Sequence, residues 1–166
     1  MTQDTIDKIL AQWKQEAPAL DVSSLAVVGR VLQLAQLLSK HRETVLADFD
    51  LTVWSFDMLA TLRRQGPPYQ LKPTELYQWL MLSSGAMTNR IDRLEKNGLV
   101  TRLRDPDDRR SVIVQLSDAG VERIDAVMPV LFEREKQFLA DLSQTETTDL
   151  ITLLRQFLST VHQQVS

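Results

Sequence analysis

Residues 82–120, LSSGAMTNRIDRLEKNGLVTRLRDPDDRRSVIVQLSDAG, constrain this 166-residue chain more than any other stretch. They specify a helix, a hairpin and the start of another helix in unbroken succession. Ser83 is a natural N-cap, and Met87, Ile91 and Leu94 fall at the i, i+4, i+7 spacing of a buried stripe. Asn97-Gly98 supplies a left-handed C-cap that stops the helix. Gly85, Asn89, Asp92, Arg93 and Lys96 share the opposite face, with Ser84 and Thr88 at its margin. That face is small and polar near its start and cationic further on. It suits a major groove, where short hydrogen-bonding groups meet base edges and cations meet phosphates. Taken alone, it fits an ordinary solvated helix surface equally well.

Two short runs, 99–104 and 111–116, flank the turn DPDDRR. The second, SVIVQL, is β-branched and alternates as a half-exposed strand does. Asp105-Pro106 opens the turn, and Asp107, Asp108, Arg109 and Arg110 form its tip. Two adjacent arginines would also serve merely to balance the nearby aspartates. Following a groove-suited helix, however, an arginine-tipped hairpin is the wing of a winged helix-turn-helix. There the wing arginines lie in or beside the minor groove.

The net charge of −3 argues superficially against a nucleic-acid partner. Its distribution points the other way. Residues 61–116 carry ten Lys/Arg against six acids, a balance of +4, and the remainder stands at −7. Phosphate neutralisation is local, so a basic module between acidic arms is compatible with DNA binding.

The flanking segments are helical. Residues 4–16 place Ile6, Ile9, Leu10, Trp13 and Ala17 on one stripe, ended by Pro18. A long helix over 22–47 carries Leu25, Val28, Leu32, Ala35 and Leu38 at helical spacing. Thr52 caps a helix over 53–65 that Gly66-Pro67-Pro68 terminates, and Pro73 opens a short helix to Leu80. Beyond the hairpin, Ser117 or Asp118 starts a helix over 119–142 with a kink at Pro129. Ser143 and Glu146 form a capping box for a last helix to about Gln163. The apolar face of that helix, Leu150, Leu153, Leu154, Phe157, Leu158 and Val161, is too wide for a lone surface helix. Subunit pairing with the N-terminal helix is its simplest use; packing within one chain is the alternative.

The expected fold is therefore mainly α with a small β-hairpin wing, a winged helix-turn-helix whose N- and C-terminal helices form a dimer. One continuous domain is expected, with 1–50 as N-terminal helices, 51–117 as the DNA-binding module and 118–166 as dimerisation helices. No apolar run is long enough to span a bilayer and no signal-peptide pattern is seen, so a cytoplasmic protein without a membrane partner is expected. The absence of cysteine excludes disulfides, zinc-thiolate sites and thiol sensing. His41 and His162 lie in separate helical segments without a nucleophile–base motif, metal-ligand spacing or phosphate-cradling glycine loop. No catalytic or metal residue is assigned, no cofactor is expected, and an enzyme is disfavoured.

The run RIDRLEKNGLVTRLRDPDDRRSVIVQLSDAG resembles the DNA-binding core of the MarR family of bacterial transcription regulators. Asp108 and Arg110 match its wing, and the closing Leu-Ser-Asp-Ala-Gly matches the entry to the next helix. The resemblance implies a homodimer reading a pseudopalindromic operator in double-stranded DNA, with Arg110 as the wing residue entering the minor groove. Ser84, Gly85, Thr88, Asn89, Arg93, Lys96, Arg109 and Arg110 are the expected DNA-binding residues.

A second site is suggested by charges in odd places. Asp57 sits in the middle of LTVWSFDMLATL, a run apolar almost all round its helix. A carboxylate there needs a partner or a purpose, because desolvation alone raises its pKa. Arg64, two turns on, is the local candidate. Arg90 lies at the edge of the recognition helix's buried stripe, and Arg102 alternates with Thr101 and Leu103 on the first wing strand.

Together with QWKQEAPALDV, FDMLATLRRQGPPY and TNRIDRLEKNGLVTR, these positions resemble the urate-responsive branch of the MarR family. The resemblance implies that Trp13 encloses the ligand and that Asp57 and Arg102 line an anion pocket. It implies that Arg90 relays occupancy to the DNA-reading helix, and that the effector is a small anionic aromatic molecule such as urate or a related purine. Trp13 as a core anchor and Arg90 as a phosphate contact remain alternatives. So do a regulator answering to a phenolic or aromatic acid, and a winged-helix module used only for protein contacts.

Overall fold

The computed structural model describes residues 3–80, 84–106 and 111–165, apart from the side chains of residues 84–86. The expected cap Ser83 and the wing-tip Arg109 and Arg110 lie outside the described residues, and Ser84 and Gly85 are described only as helical backbone. The elements run α1 (Thr5–Glu16), α2 (Leu25–Ala47), α3 (Val53–Arg63), β1 (Gln70–Leu71), α4 (Pro73–Leu80), α5 (Ser84–Lys96), β2 (Val100–Arg104), β3 (Val112–Leu116), α6 (Asp118–Gln137) and α7 (Gln144–Val165). This is a mainly helical chain with a small antiparallel sheet, as the sequence predicts.

Local chemistry sets the boundaries. Thr52 and Ser55 cap the start of α3 reciprocally, and Ser143 and Glu146 do the same for α7. The Ser117 hydroxyl accepts from the Gly120 N–H at 3.0 Å and donates to the Gly98 carbonyl at 2.6 Å, tying the start of α6 to the end of α5. At Gly98, φ is +71°, a conformation glycine adopts without Cβ strain. The Leu99 N–H then reaches back to the Leu94 carbonyl and the Gly98 N–H to that of Glu95, both at 2.9 Å. These two bonds close the helix end as a Schellman motif.

Two elements depart from expectation. Strand β1 is two residues long, too short for any alternation to announce it, and exists because β3 offers it an edge: the sheet order is β1-β3-β2. Helix α6 stops at Gln137 and not at Leu142. Phe138, Leu139 and Leu142 keep helical spacing, but the chain must leave helical dihedrals before Ser143 to cap α7. Pro129 sits inside α6 without dividing it.

The core is built by the middle of the chain. Val45 and Leu46 from α2, Phe56, Met58, Leu59 and Leu62 from α3, and Leu76 from α4 are buried together. They meet the predicted stripe Met87, Ile91 and Leu94, the strand residues Val100 and Val114, and Ile124, Val127 and Leu131 of α6. Gly120 allows the tightest approach in this core. A Cβ there would lie 2.0 Å from the Leu99 carbonyl oxygen.

The outer helices are different. Among its described residues α7 buries none, and Leu150, Leu153, Leu154, Leu158 and Val161 are all exposed. Val28, Leu32 and Leu38 of α2 are exposed as well. Helix α1 lies on α2, with Ile6 against Gly29 and Arg30 bonded to Asp4 at 2.8 Å and to Asp7 at 2.6 Å.

Candidate nucleic-acid interface and adjoining cavity

Helix α5 presents two faces because its apolar positions recur at helical spacing. Met87, Ile91 and Leu94 point into the core, while Thr88, Asn89, Asp92, Arg93 and Lys96 are exposed. Arg93 and Lys96 form no ion pair among the described residues. Their charges face solvent, as a phosphate-reading surface requires.

The wing is fastened to this helix by ions. In the β2–β3 register Arg102 stands opposite Val114, which is buried, so Arg102 shares the inward face of β2 with Val100. That orientation points its guanidinium at α5, where it bonds Glu95 and Asp92. The Arg102 N–H also donates to Glu95 Oε1 at 3.1 Å. At the outer end of the hairpin, Lys72 Nζ lies 2.6 Å from Asp105, whose side chain is almost fully buried. Arg63 is held by Asp125 at 2.8 Å. Three cations of the basic module are thus engaged within the protein, whereas Arg93 and Lys96 of α5 and Arg104 of β2 are exposed.

Behind α5 lies an open cavity of about 550 Å³, lined in part by Glu43, Thr52, Trp54, Asp57, Leu80 and Arg90. The Arg90 guanidinium sits 5.4 Å from the centre of the Trp54 ring. This is within the range in which the π-face attracts a cation. Trp54 also borders the shelf formed by Asn89, Arg90, Asp92 and Arg93, so one ring lies between the cavity and the solvent-facing side of α5. Burial pushes the Asp57 carboxyl above the usual carboxylate range, opposed by the nearby Arg42, Arg64 and Arg90 charges.

The cation that Asp57 holds is Arg42. Arg42 Nη2 lies 3.6 Å from Asp57 Oδ1, and its Nε lies 3.3 Å from Glu135 Oε1. The expected local partner Arg64 instead lies over the Trp79 ring at 5.2 Å. Arg90, whose charge is also near Asp57, faces Trp54. The reason is tertiary: α2 brings a cation across from a sequence-distant helix.

Of the four residues assigned to an anion pocket, the structure brings Asp57 and Arg90 to one cavity. Trp13 and Arg102 are not part of that lining in a single protomer. Trp13 is exposed on α1 beside Gln12, Gln15 and Glu16, and Arg102 is engaged by Asp92 and Glu95. Sequence reasoning missed Trp54, Glu43 and Arg42. Trp54 stands one turn before Asp57, a spacing that the nearly continuous apolar run concealed. Glu43 and Arg42 come from another helix and leave no local signal. No group of three or more His, Cys, Asp or Glu able to hold a metal is present among the described residues. No described helix is long and apolar enough to cross a membrane.

A helix-turn-helix with an antiparallel wing, an exposed polar and cationic recognition face and a cavity behind it define a DNA-binding transcriptional regulator. Residues 51–112 match the MarR family, and the chain belongs to that family, whose members are not enzymes. It is similar to the HTH-type transcriptional regulator PecS of Dickeya dadantii (strain 3937), with 37% identity over 149 residues covering 90% of each chain. The crystal structure of a mutant MarR from E. coli complexed with operator DNA aligns with a TM-score of 0.71 and 27% identity, covering 84% of this chain and 99% of that one. AbsC, a MarR family transcriptional regulator from Streptomyces coelicolor, shares the fold, with a TM-score of 0.77 at 23% identity over 86% of this chain and 97% of that one.

Proposed function

We propose that two copies of this chain bind a pseudopalindromic operator as a repressor and leave it when a small anionic aromatic ligand, urate or a related purine, occupies the cavity behind α5. The observation that carries this reading is the position of Arg90, which belongs to the DNA-reading helix and also lines the cavity. An occupant of the cavity therefore touches the reader itself.

The lining suits a planar anion with ring N–H groups. Arg90 supplies charge-assisted hydrogen bonds, Trp54 supplies a ring face, and Glu43 and Asp57 accept N–H donors. An anion beside Asp57 also repels it, which gives the ligand different affinities for the two arrangements of the site. Release requires that difference; a coupling of about 1–3 kcal/mol weakens operator binding about 5–150-fold. Trp13 is proposed to enclose the ligand and Arg102 to contact its charge, although in one protomer both lie outside the cavity lining.

Residues 51–117 act as the DNA-reading module, with Thr88, Asn89, Arg93 and Lys96 joined by Ser84, Gly85, Arg109 and the minor-groove Arg110. Residues 1–50 and 118–166 hold the two modules apart at operator spacing. The exposed apolar faces of α2 and α7 support that role, since such surfaces mark interaction sites. A reader of bacterial operators works in the cytoplasm.

The test is a titration of the protein–operator complex with urate, xanthine and salicylate. Release by the purines at concentrations where salicylate does nothing supports the reading; release by salicylate alone replaces it with a phenolic-acid sensor. Absence of salt-dependent DNA affinity removes operator binding altogether and leaves a protein-interaction module.

A further inference from the structure

Arg42 belongs to neither the DNA-facing surface nor the cavity lining, yet it is the hub of the only ion network in the described residues that joins α2, α3 and α6. Its guanidinium pairs with Asp57 of α3 at 3.6 Å and with Glu135 of α6 at 3.3 Å, and it lies 5.1 Å over the Phe56 ring. All three ionic side chains are partly buried. Asp57 is faced by Arg42 from α2, by Arg64 at the C-terminal cap of α3 and by Arg90 from α5, with Glu43 also lining the cavity. Trp54 stands one turn before Asp57 on α3 and carries the Arg90 contact. Helix α3 thus has Arg42 gripping one end of this turn and Arg90 resting on the other.

We propose that Arg42 is a positioning residue for DNA reading: by bridging Asp57 and Glu135 it clamps α3 to α2 and α6, and so sets where Trp54 holds the recognition helix. Loss of the clamp lets the outer, Asp57-bearing side of α3 shift on its buried side, and Trp54 passes that shift to Arg90 and α5. An anion in the cavity breaks the clamp from the other side, by repelling Asp57 from Arg42. The direction under ligand rests on the effector reading above; the clamp itself is present without ligand.

The test is a double-mutant cycle in DNA binding, with the whole chain, a duplex enriched by this protein from a random pool, and no effector. Arg42→Gln and Asp57→Asn are each expected to lower affinity for that duplex by at least about threefold, and the double variant no more than the larger single effect. Arg42→Lys, which keeps the charge, is expected to recover part of the loss, a rescue that a purely steric role would not show. Melting temperatures identify variants that fail to fold; if Arg42→Gln does, Glu135→Gln with Asp57→Asn forms the same cycle. Wild-type affinity in the folded variants, or strictly additive effects, would overturn the clamp. A wild-type protein that ignores urate removes the effector reading only, because the cycle contains no ligand.

Discussion

Arg102 on β2 and Glu95 on α5 make two contacts with each other: the Arg102 N–H donates to one carboxylate oxygen at 3.1 Å and the guanidinium bonds the other. With Asp92 also held, the first wing strand is fastened to the cationic half of the recognition helix. The first wing strand and α5 are thereby joined by a backbone hydrogen bond and two ion pairs.

Arg102→Gln is accordingly expected to weaken operator binding several-fold while costing only roughly 1 kcal/mol of stability, because the carboxylate partners are half-exposed and screened. Calorimetric urate titration of the free protein, set beside operator binding, distinguishes the two roles of this residue. A larger loss in urate affinity than in operator affinity would return Arg102 to direct ligand contact.

Arg93 stands free of ion pairs among the described residues, on the exposed side of α5. Its replacement by alanine should leave the melting temperature unchanged. Operator affinity should fall by about 1–3 kcal/mol if a base edge is lost; loss of one phosphate contact should reduce the salt dependence by about 0.9 in slope. Binding measured at several salt concentrations separates these outcomes, and unchanged affinity at every one would remove Arg93 from the interface.

Burial raises the Asp57 carboxyl above its ordinary range despite three nearby arginines. The folded chain then keeps this proton at pH values where the unfolded chain has released it. Stability contributed by this group is present below the ordinary Asp value and falls as pH rises through the raised one. Asp57→Asn should therefore gain stability relative to the wild type above that window, and the gain should shrink as pH drops below it. Urea unfolding of both proteins across the acid range tests the sign; a gain that grows toward low pH would contradict it. The same variant should bind operator with the severalfold lower affinity expected from loss of the Arg42 contact, and should respond only weakly to urate.

Gly120→Ala should destabilise the fold by about 1–3 kcal/mol or more, since the new methyl would meet the Leu99 carbonyl at 2.0 Å. That carbonyl cannot retreat cheaply, because it accepts the Ser117 N–H at 3.1 Å. For a chain of this size the melting temperature should drop by about 2–4 °C for each kcal/mol. Gly29→Ala makes a useful contrast: its methyl would meet only the far end of Ile6 at 3.0 Å, which can rotate away. Equal melting temperatures for the two variants would show that the α5–α6 junction is less rigid than its geometry.

Much of the DNA-reading architecture was legible in the chain because it is written in local terms. The stripe Met87, Ile91 and Leu94, the Gly98 stop, and the caps at Thr52, Ser117 and Ser143 each depend on residues within one or two turns. Such signals survive without knowledge of the fold. The resemblance of the DNA-binding core likewise lies in one contiguous run, and that of the narrower branch in three short ones. What the tertiary structure alone decided is how distant charges pair. Arg42 reaches Asp57 and Glu135 across three helices, Arg102 turns inward onto Glu95, and Lys72 is drawn to Asp105. Ion pairing between remote elements has no periodicity to read, since any cation serves any carboxylate that the packing brings within about 4 Å. The cavity follows the same rule: Asp57 and Arg90 could be singled out from their apolar surroundings, but Glu43 and the shared Trp54 wall come from the way α2, α3 and α5 cross.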